Sequence, residues 1–228
     1  MEFKYLGHAC FQATIGGKNI VFDPFIRGND LAIAAGINID DVKADYILVS
    51  HGHSDHVDDL LYLAEKTNAT IISSWEICQW VVKQGYSNIH PLNVGGTKLV
   101  EFGSVKMTYA LHSSSFSDGS YAGIPGGFLI TGEGKTIYYA GDTALNSDMK
   151  LIGEYNNIDH AILPIGGNFT MDANDASIAA DFLKCKNIIA MHFDTYGFIK
   201  IDHNLVKQIF TQSGKNLHIL KIGESIAI

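Results

Sequence analysis

The sequence predicts a mixed α/β fold in which helices cover the outer faces of two β-sheets. Three observations carry that prediction. Short apolar runs of strand composition are interleaved with stretches of helical length and periodicity. The two halves of the 228-residue chain repeat one another in motif order. Side chains able to bind metal follow several of the apolar runs directly, at the strand-to-loop transitions where α/β folds build their sites.

The elements follow in order. Phe3–Leu6, Phe11–Ile15 and Lys18–Phe22 are short and apolar, and Gly16-Gly17 supplies a turn, so a meander is expected. Asp45–Ser50 is expected as a buried strand because Ile47-Leu48-Val49 is continuously apolar. Val57–Lys66 is expected as a helix with Leu60, Leu61, Leu63 and Ala64 on its apolar side, followed by a strand at Thr70–Ser73. Ser74 is placed to cap a helix over Trp75–Lys83, which Gly85 ends. Strands are expected at Lys98–Phe102, Val105–Leu111, Gly127–Thr131 and Thr136–Ala140. A short helix near Met149–Tyr155, a strand at His160–Ile165, a helix at Asn174–Lys184 and a strand at Asn187–Met191 follow. A helix at His203–Gln212 and a terminal strand pair within Leu217–Ile228 complete the expectation.

The repeat is visible residue by residue. Tyr5-Leu6-Gly7-His8 resembles Tyr109-Ala110-Leu111-His112, and Lys18–Asp23 parallels Lys135–Asp142. Asp45–Ser50 parallels Asp159–Ile165, and Thr70–Ser73 parallels Ile188–Met191. Asp23 precedes Ser73 by 50 positions, and Asp142 precedes His192 by the same 50. A duplication of this kind predicts two sheets packed face to face with strand ends converging on one edge. No linker divides the halves, so residues 1–228 are expected to form one domain.

Composition narrows the function. Hydrophobic residues make up 46% and charged residues 18%, which suits one compact core. No apolar run reaches the length of a membrane span, and the opening residues lack a signal-peptide core, so no membrane role and a cytoplasmic location are expected. Cys10, Cys78 and Cys185 are odd in number and far apart, and are expected as buried, reduced thiols. Sixteen Lys+Arg stand against 24 Asp+Glu, for a net charge of −8. With no basic cluster to track phosphates, nucleic acid is a poor partner, and a small-molecule substrate, anionic or not, is expected. A homo-oligomer remains compatible with this composition.

The chemistry concentrates in His51-Gly52-His53-Ser54-Asp55-His56. Four metal-capable side chains fall within six residues, at the mouth of a buried strand. Imidazole and carboxylate are the ligands that borderline divalent metals take. His112, Asp142 and His192 each stand where a further apolar run gives way to a loop. More ligands are present than one tetrahedral site needs, which points to two metals and to hydrolysis rather than to a structural site.

This set, His51-x-His53-x-Asp55-His56 followed by His112, Asp142 and His192, resembles the metallo-β-lactamase superfamily over essentially the whole chain. The resemblance implies a four-layer αββα sandwich built from two similar βα halves, with a dinuclear site at one edge. It implies His51, His53 and His112 on one metal, Asp55, His56 and His192 on the other, and Asp142 between them. Zinc is the first expectation for both ions, with manganese and iron as alternatives. A finer resemblance, to small stand-alone hydrolases related to ascorbate-6-phosphate lactonase, rests on Tyr5-Leu6-Gly7-His8, Phe22-Asp23-Pro24-Phe25, His112-Ser113-Ser114-Ser115 and Leu163-Pro164-Ile165-Gly166-Gly167. The Gly-Gly that often follows the first motif in that group is Asp58-Asp59 here.

The expected reaction is attack by a hydroxide shared between two metals on an ester, lactone or phosphodiester, with Asp55 orienting it. Asp23 is expected behind the ligands, accepting hydrogen bonds from their N–H groups. His8 is read either as a buried structural imidazole or as a catalytic acid or substrate clamp. Gly167 and Asn168 are read either as a simple turn or as a loop whose amides approach substrate. Ser113, Ser114 and Ser115 are expected to shape their loop. His90, His160, His203 and His218 lack motif context and are expected to be surface or structural residues. Three alternatives stand beside the hydrolase: a nuclease of the same fold, a di-iron oxidoreductase, and a non-catalytic metal-binding module. The di-iron proteins resemble His-x-Glu-x-Asp in this motif, and position 53 is His here.

Overall fold

The computed structural model describes residues 1–228 as two seven-stranded sheets packed face to face, with helices on both outer surfaces. The first sheet contains β1 (Glu2–Gly7), β2 (Cys10–Ile15), β3 (Lys18–Phe22), β4 (Tyr46–Leu48), β5 (Thr70–Ser73), β6 (Ile89–Pro91) and β14 (Ser225–Ala227). Its spatial order is β14-β1-β2-β3-β4-β5-β6. The second contains β7 (Thr97–Val100), β8 (Gly103–Tyr109), β9 (Gly126–Gly132), β10 (Lys135–Tyr139), β11 (His160–Pro164), β12 (Asn187–Met191) and β13 (Asn216–His218), ordered β13-β12-β11-β10-β9-β8-β7. The helices are α1 (Asp30–Ala34), α2 (Ser54–Val57), α3 (Leu60–Thr67), α4 (Trp75–Lys83), α5 (Asp148–Tyr155), α6 (Ala173–Phe182) and α7 (His203–Gln212). None is long and apolar enough to cross a membrane.

Alternation along the strands sorts the core into layers. In β3, Ile20 and Phe22 join the large cluster between the sheets, while Val21 faces the opposite way, into a second cluster with Leu60, Leu63, Ile77 and Val81 of α3 and α4. In β4 the same alternation sends Leu48 inward and Ile47 toward the helices. The result is the αββα sandwich. At about 25 cal/mol per Å2, burial of these apolar faces dominates its stability.

The two sheets share one plan. β1-β2 and β2-β3 are antiparallel, and β3-β4, β4-β5 and β5-β6 are parallel. β8-β9 and β9-β10 are antiparallel, and β10-β11, β11-β12 and β12-β13 are parallel. The likeness extends to side chains. Asn19 N–H donates to Asp45 Oδ2 at 2.8 Å, and Thr136 N–H donates to Asp159 Oδ2 at 2.8 Å. Lys18 and Lys135 approach the same two aspartates. This detail is what a duplicated half leaves behind.

The structure departs from the sequence reading in three places. The expected helix over Val57–Lys66 is broken into α2 and α3. Asp59 makes the break: its N–H donates to Pro24 O at 3.1 Å, and its buried carboxylate accepts from Ile26 N at 2.6 Å and Arg27 N at 2.8 Å. The expected terminal strand pair does not pair with itself. β13 extends the second sheet parallel to β12, and β14 crosses to the first sheet antiparallel to β1. Local patterning marks strands but does not choose non-local partners. The short α1 and the edge strand β6, which carries Pro91, lack a periodic signal long enough to read.

Candidate metal centre

The expected ligands lie at one edge of the sandwich, on loops and on the short helix α2. The chain leaves β4 through Val49 and Ser50, turns at His51-Gly52-His53 and enters α2, whose first turn carries Asp55 and His56. Gly52 is required there, because a Cβ would sit 2.2 Å from Ala122 Cβ. His112 follows β8, and the backbone before it is held by Leu111 N–H donating to Thr143 Oγ1 at 3.0 Å. Asp142 follows β10 through Gly141, which has φ +62° in the left-handed region. His192 follows β12 with φ +56°, and its N–H donates to His8 O at 2.8 Å, tying the two sheets together across the site.

The side chains converge on Asp142. Its Oδ2 lies 2.9 Å from His192 Nε2, 3.3 Å from His56 Nε2, 3.6 Å from His112 Nε2 and 4.0 Å from His51 Nε2. Three groups of potential ligand atoms are found here: His51, His53 and His112; His8, Asp55, His56 and His192; and Asp23, His51 and His56. Within each group the atoms lie within 4.8 Å of one another. Of the residues expected as ligands, all seven are brought together.

Asp23 organises this edge from behind. It is fully buried and accepts four hydrogen bonds: from Ser50 N at 2.7 Å, Ser50 Oγ at 2.6 Å, His56 Nδ1 at 2.8 Å and Tyr139 Oη at 2.7 Å. Because Ser50 Oγ gives its proton to Asp23, it accepts from His51 Nδ1 at 2.9 Å. Both imidazoles thereby donate through Nδ1 and turn Nε2 toward Asp142, the nitrogen left for a metal ion. Asp23 has φ +41°, a left-handed conformation in keeping with its place at a constrained turn.

The electrostatics suit a cation. Burial pushes the imidazoles of His51, His53 and His112 down, which favours the neutral form that binds metal. Burial would raise Asp142, but His192 and His56 outweigh it and hold the carboxyl well below its usual range. Asp55 behaves alike: burial opposes ionisation, and His56 and the hydrogen bond from His8 overcome it. His56 moves the other way. Burial disfavours its charge, yet Asp142, Asp23 and Asp55 raise it well above 6.5. A positive charge is wanted at His56 Nε2, and that atom is buried without a hydrogen-bond partner, as is Asp142 Oδ1. A divalent cation would satisfy both, so the residues fit metal ions.

The other candidates are placed as follows. His8 is 1% exposed, and both its nitrogens are engaged: Nε2 lies 3.0 Å from Asp55 Oδ2 and Nδ1 2.9 Å from Thr195 Oγ1. It backs Asp55 and does not line the open pocket beside the ligands. That pocket, about 270 Å3, is lined by His53, Asp55, His112, Ser113, Asp142, Phe169 and His192. Gly167 and Asn168 adopt φ +69° and +55°, and Gly167 N–H is already given to Met171 O at 3.0 Å. Phe169, which follows them, lines the pocket, and neither Gly167 nor Asn168 does. Ser50, Thr195 and Phe169 escaped the sequence reading. Only Ser50, which immediately precedes the motif, carried a signal that could have been used. Asp59 supplies the contact that a Gly-Gly pair could not, locking the 26–27 backbone to the start of α3.

Comparison with known proteins agrees with this architecture. Residues 2–192 match the family model described as a beta-lactamase superfamily domain. A UPF0173 metal-dependent hydrolase of Flavobacterium johnsoniae is 52% identical over 228 residues, covering all of both chains. One of Methylacidiphilum infernorum is 46% identical over the same full span. Among solved structures, the metallo hydrolase Igni18 of Ignicoccus hospitalis is 31% identical, with a TM-score of 0.87 over 99% of this chain and 97% of that one. An isothiocyanate hydrolase from Delia radicum gut bacteria shares the fold at 18% identity, with a TM-score of 0.82 over 100% and 99% of the two chains. Edge-on histidines and aspartates, duplicated sheets and full-length relatives converge: the chain belongs to the metallo-β-lactamase superfamily and, within it, to the metal-dependent hydrolases.

Proposed function

We propose that the chain hydrolyses a small, uncharged acyl substrate, an ester or lactone, at a centre holding two divalent metal ions. His51, His53 and His112 would hold one ion, Asp55, His56 and His192 the other, and Asp142 would be shared. The observation that carries the reading is Asp142 Oδ2, ringed by four imidazole Nε2 atoms at the floor of a pocket lined by no Lys or Arg. Two ions bound there would acidify a water and polarise the scissile bond. Zinc is the first choice for a donor set dominated by imidazole.

The protein's own groups divide the remaining work. Asp55 accepts from His8 through Oδ2 at 3.0 Å, which steadies the carboxylate both to hold the second ion and to orient a proton. Thr195 and His8 act through Asp55 as positioning residues. Phe169 gives the pocket an apolar wall for the substrate body. Phosphodiesters and RNA are disfavoured because no Lys or Arg lines the pocket, which would leave the metal ions as the only cations to hold a phosphate. The finer likeness to a lactonase group makes lactones the first compounds to try.

The test loads the purified protein with zinc, manganese or iron and compares aryl esters and lactones with bis-aryl phosphodiesters. Acyl substrates should turn over with kcat/KM at least about 100-fold above the phosphodiesters, a gap of roughly 2.7 kcal/mol. A preference for the phosphodiester would overturn the acyl assignment. A metal content near one ion per chain at full activity would overturn the two-metal assignment.

A further inference from the structure

We propose that a second chamber, on the far side of His8 from the metal centre, binds a small amphipathic anion: a carboxylate or phosphate head on an apolar chain. The chamber has a volume of about 530 Å3, within the range that holds small ligands. No residue lines both it and the pocket at the candidate ligands, so the two are separate openings with His8 and Asp55 in contact between them. The proposal stands independently of the acyl-hydrolase reading.

The walls come from five separate segments. Tyr5 of β1, Leu31 of α1, the Phe193–Thr195 turn, Lys207 of α7 and the 219–222 stretch between β13 and β14 meet there. Leu31, Ile219 and Ile222 supply an apolar lining, and Lys207 and Lys221 supply cations. Lys207 and Lys221, like most lysines of the chain, pair with no carboxylate, so both are free to meet an anion at the chamber. One carboxylate does line the chamber, and it is engaged elsewhere. Asp194 Oδ1 accepts from Ile201 N at 3.0 Å, and Oδ2 lies 2.7 Å from His203 Nε2. Glu224, beside the chamber, turns its Oε2 onto Lys221 N–H at 2.8 Å and not onto an ammonium. Two ammonium groups against one hydrogen-bonded carboxylate leave a net positive charge over the apolar lining, which matches a ligand with one anionic end. Two cations also prefer a singly or doubly charged head to an alcohol of the same length.

The experiment titrates octanoate, octyl phosphate and 1-octanol into the metal-loaded protein by calorimetry, and repeats the titration after chelation. At least one anion should bind at one site per chain, with octanol at least about tenfold weaker. Lys207→Gln/Lys221→Gln should weaken the anion by at least about tenfold. Leu31→Trp, at a position 41% exposed and therefore tolerant, should fill the chamber and abolish binding. Relative strength of the two anions assigns the head group. Equal binding of octanol, unchanged affinity in the lysine double variant, or no anion binding would overturn the proposal. So would binding that disappears on chelation and survives Leu31→Trp, since that anion would sit on the metals.

Discussion

Asp23 lines neither the pocket at the candidate ligands nor the second chamber, yet it fixes Nδ1 as the donor of two imidazoles. It takes the Nδ1 proton of His56 directly and that of His51 through Ser50, at 2.8 Å and 2.9 Å for the two imidazole contacts. Asp23→Asn keeps the shape but places an amide donor against donors. Metal affinity should fall by roughly 10- to 100-fold, measured by competition with a chromophoric chelator. Unchanged affinity would show that the tautomers are set elsewhere. His8 permits a second test. Burial, against the hydrogen bond to Asp55, pushes its imidazole down to about 4 from an ordinary 6.5. Below pH 6.5 the unfolded chain therefore takes up a proton that the native state refuses until about pH 4. Stability is fully present above 6.5 and is lost as pH falls through that window. In the chelated protein, wild type should lose about 3 kcal/mol more between these limits than His8→Gln, by urea unfolding. Equal losses would mean His8 titrates normally.

At the scale of an element, the 51–56 segment works because it is short and constrained at both ends. Ser50 holds its start on Asp23, α2 holds its end, and Gly52 passes against Ala122 where no Cβ fits. Gly52→Ala must push the loop off Ala122 or shift the neighbouring imidazoles. Overpacking of this kind should cost about 1–3 kcal/mol in urea unfolding and reduce bound metal together. A variant with full stability and full metal would show the contact to be soft. The α2–α3 break belongs to the same scale. An apolar pattern through Val57–Lys66 reads as one helix, but the Asp59 carboxylate holds the backbone of residues 26 and 27, and the helix restarts after it. Helical periodicity was legible because it is local; the interruption was not, because its cause lies 32–33 residues away.

For the whole molecule, the metal edge is also a mechanical joint. Ligands from the first sheet meet His112, Asp142 and His192 from the second, and His192 N–H bonds His8 O across the gap. Cations bound there should stabilise the packed sheets through linkage. Adding zinc to the chelated protein at about 100 times its Kd should contribute roughly 2.7 kcal/mol, seen as a rise in Tm. A Tm insensitive to chelation would separate the site from the fold.

The sequence by itself determined the layers, the strand-end positions of the seven candidate ligands and the repeat, because these follow from period-2 and period-3.6 patterning and from spacing within one segment. Asp23 was legible as a support because Asp142 marks its equivalent place in the other half. Only the tertiary structure decided that β13 and β14 part to different sheets, that Thr195 holds His8 and His8 holds Asp55, and that Phe169 rather than Gly167 faces the pocket. The His8–Thr195 contact alone joins residues 187 positions apart. Which distant side chains meet is set by how two buried sheets pack, and no local pattern encodes it.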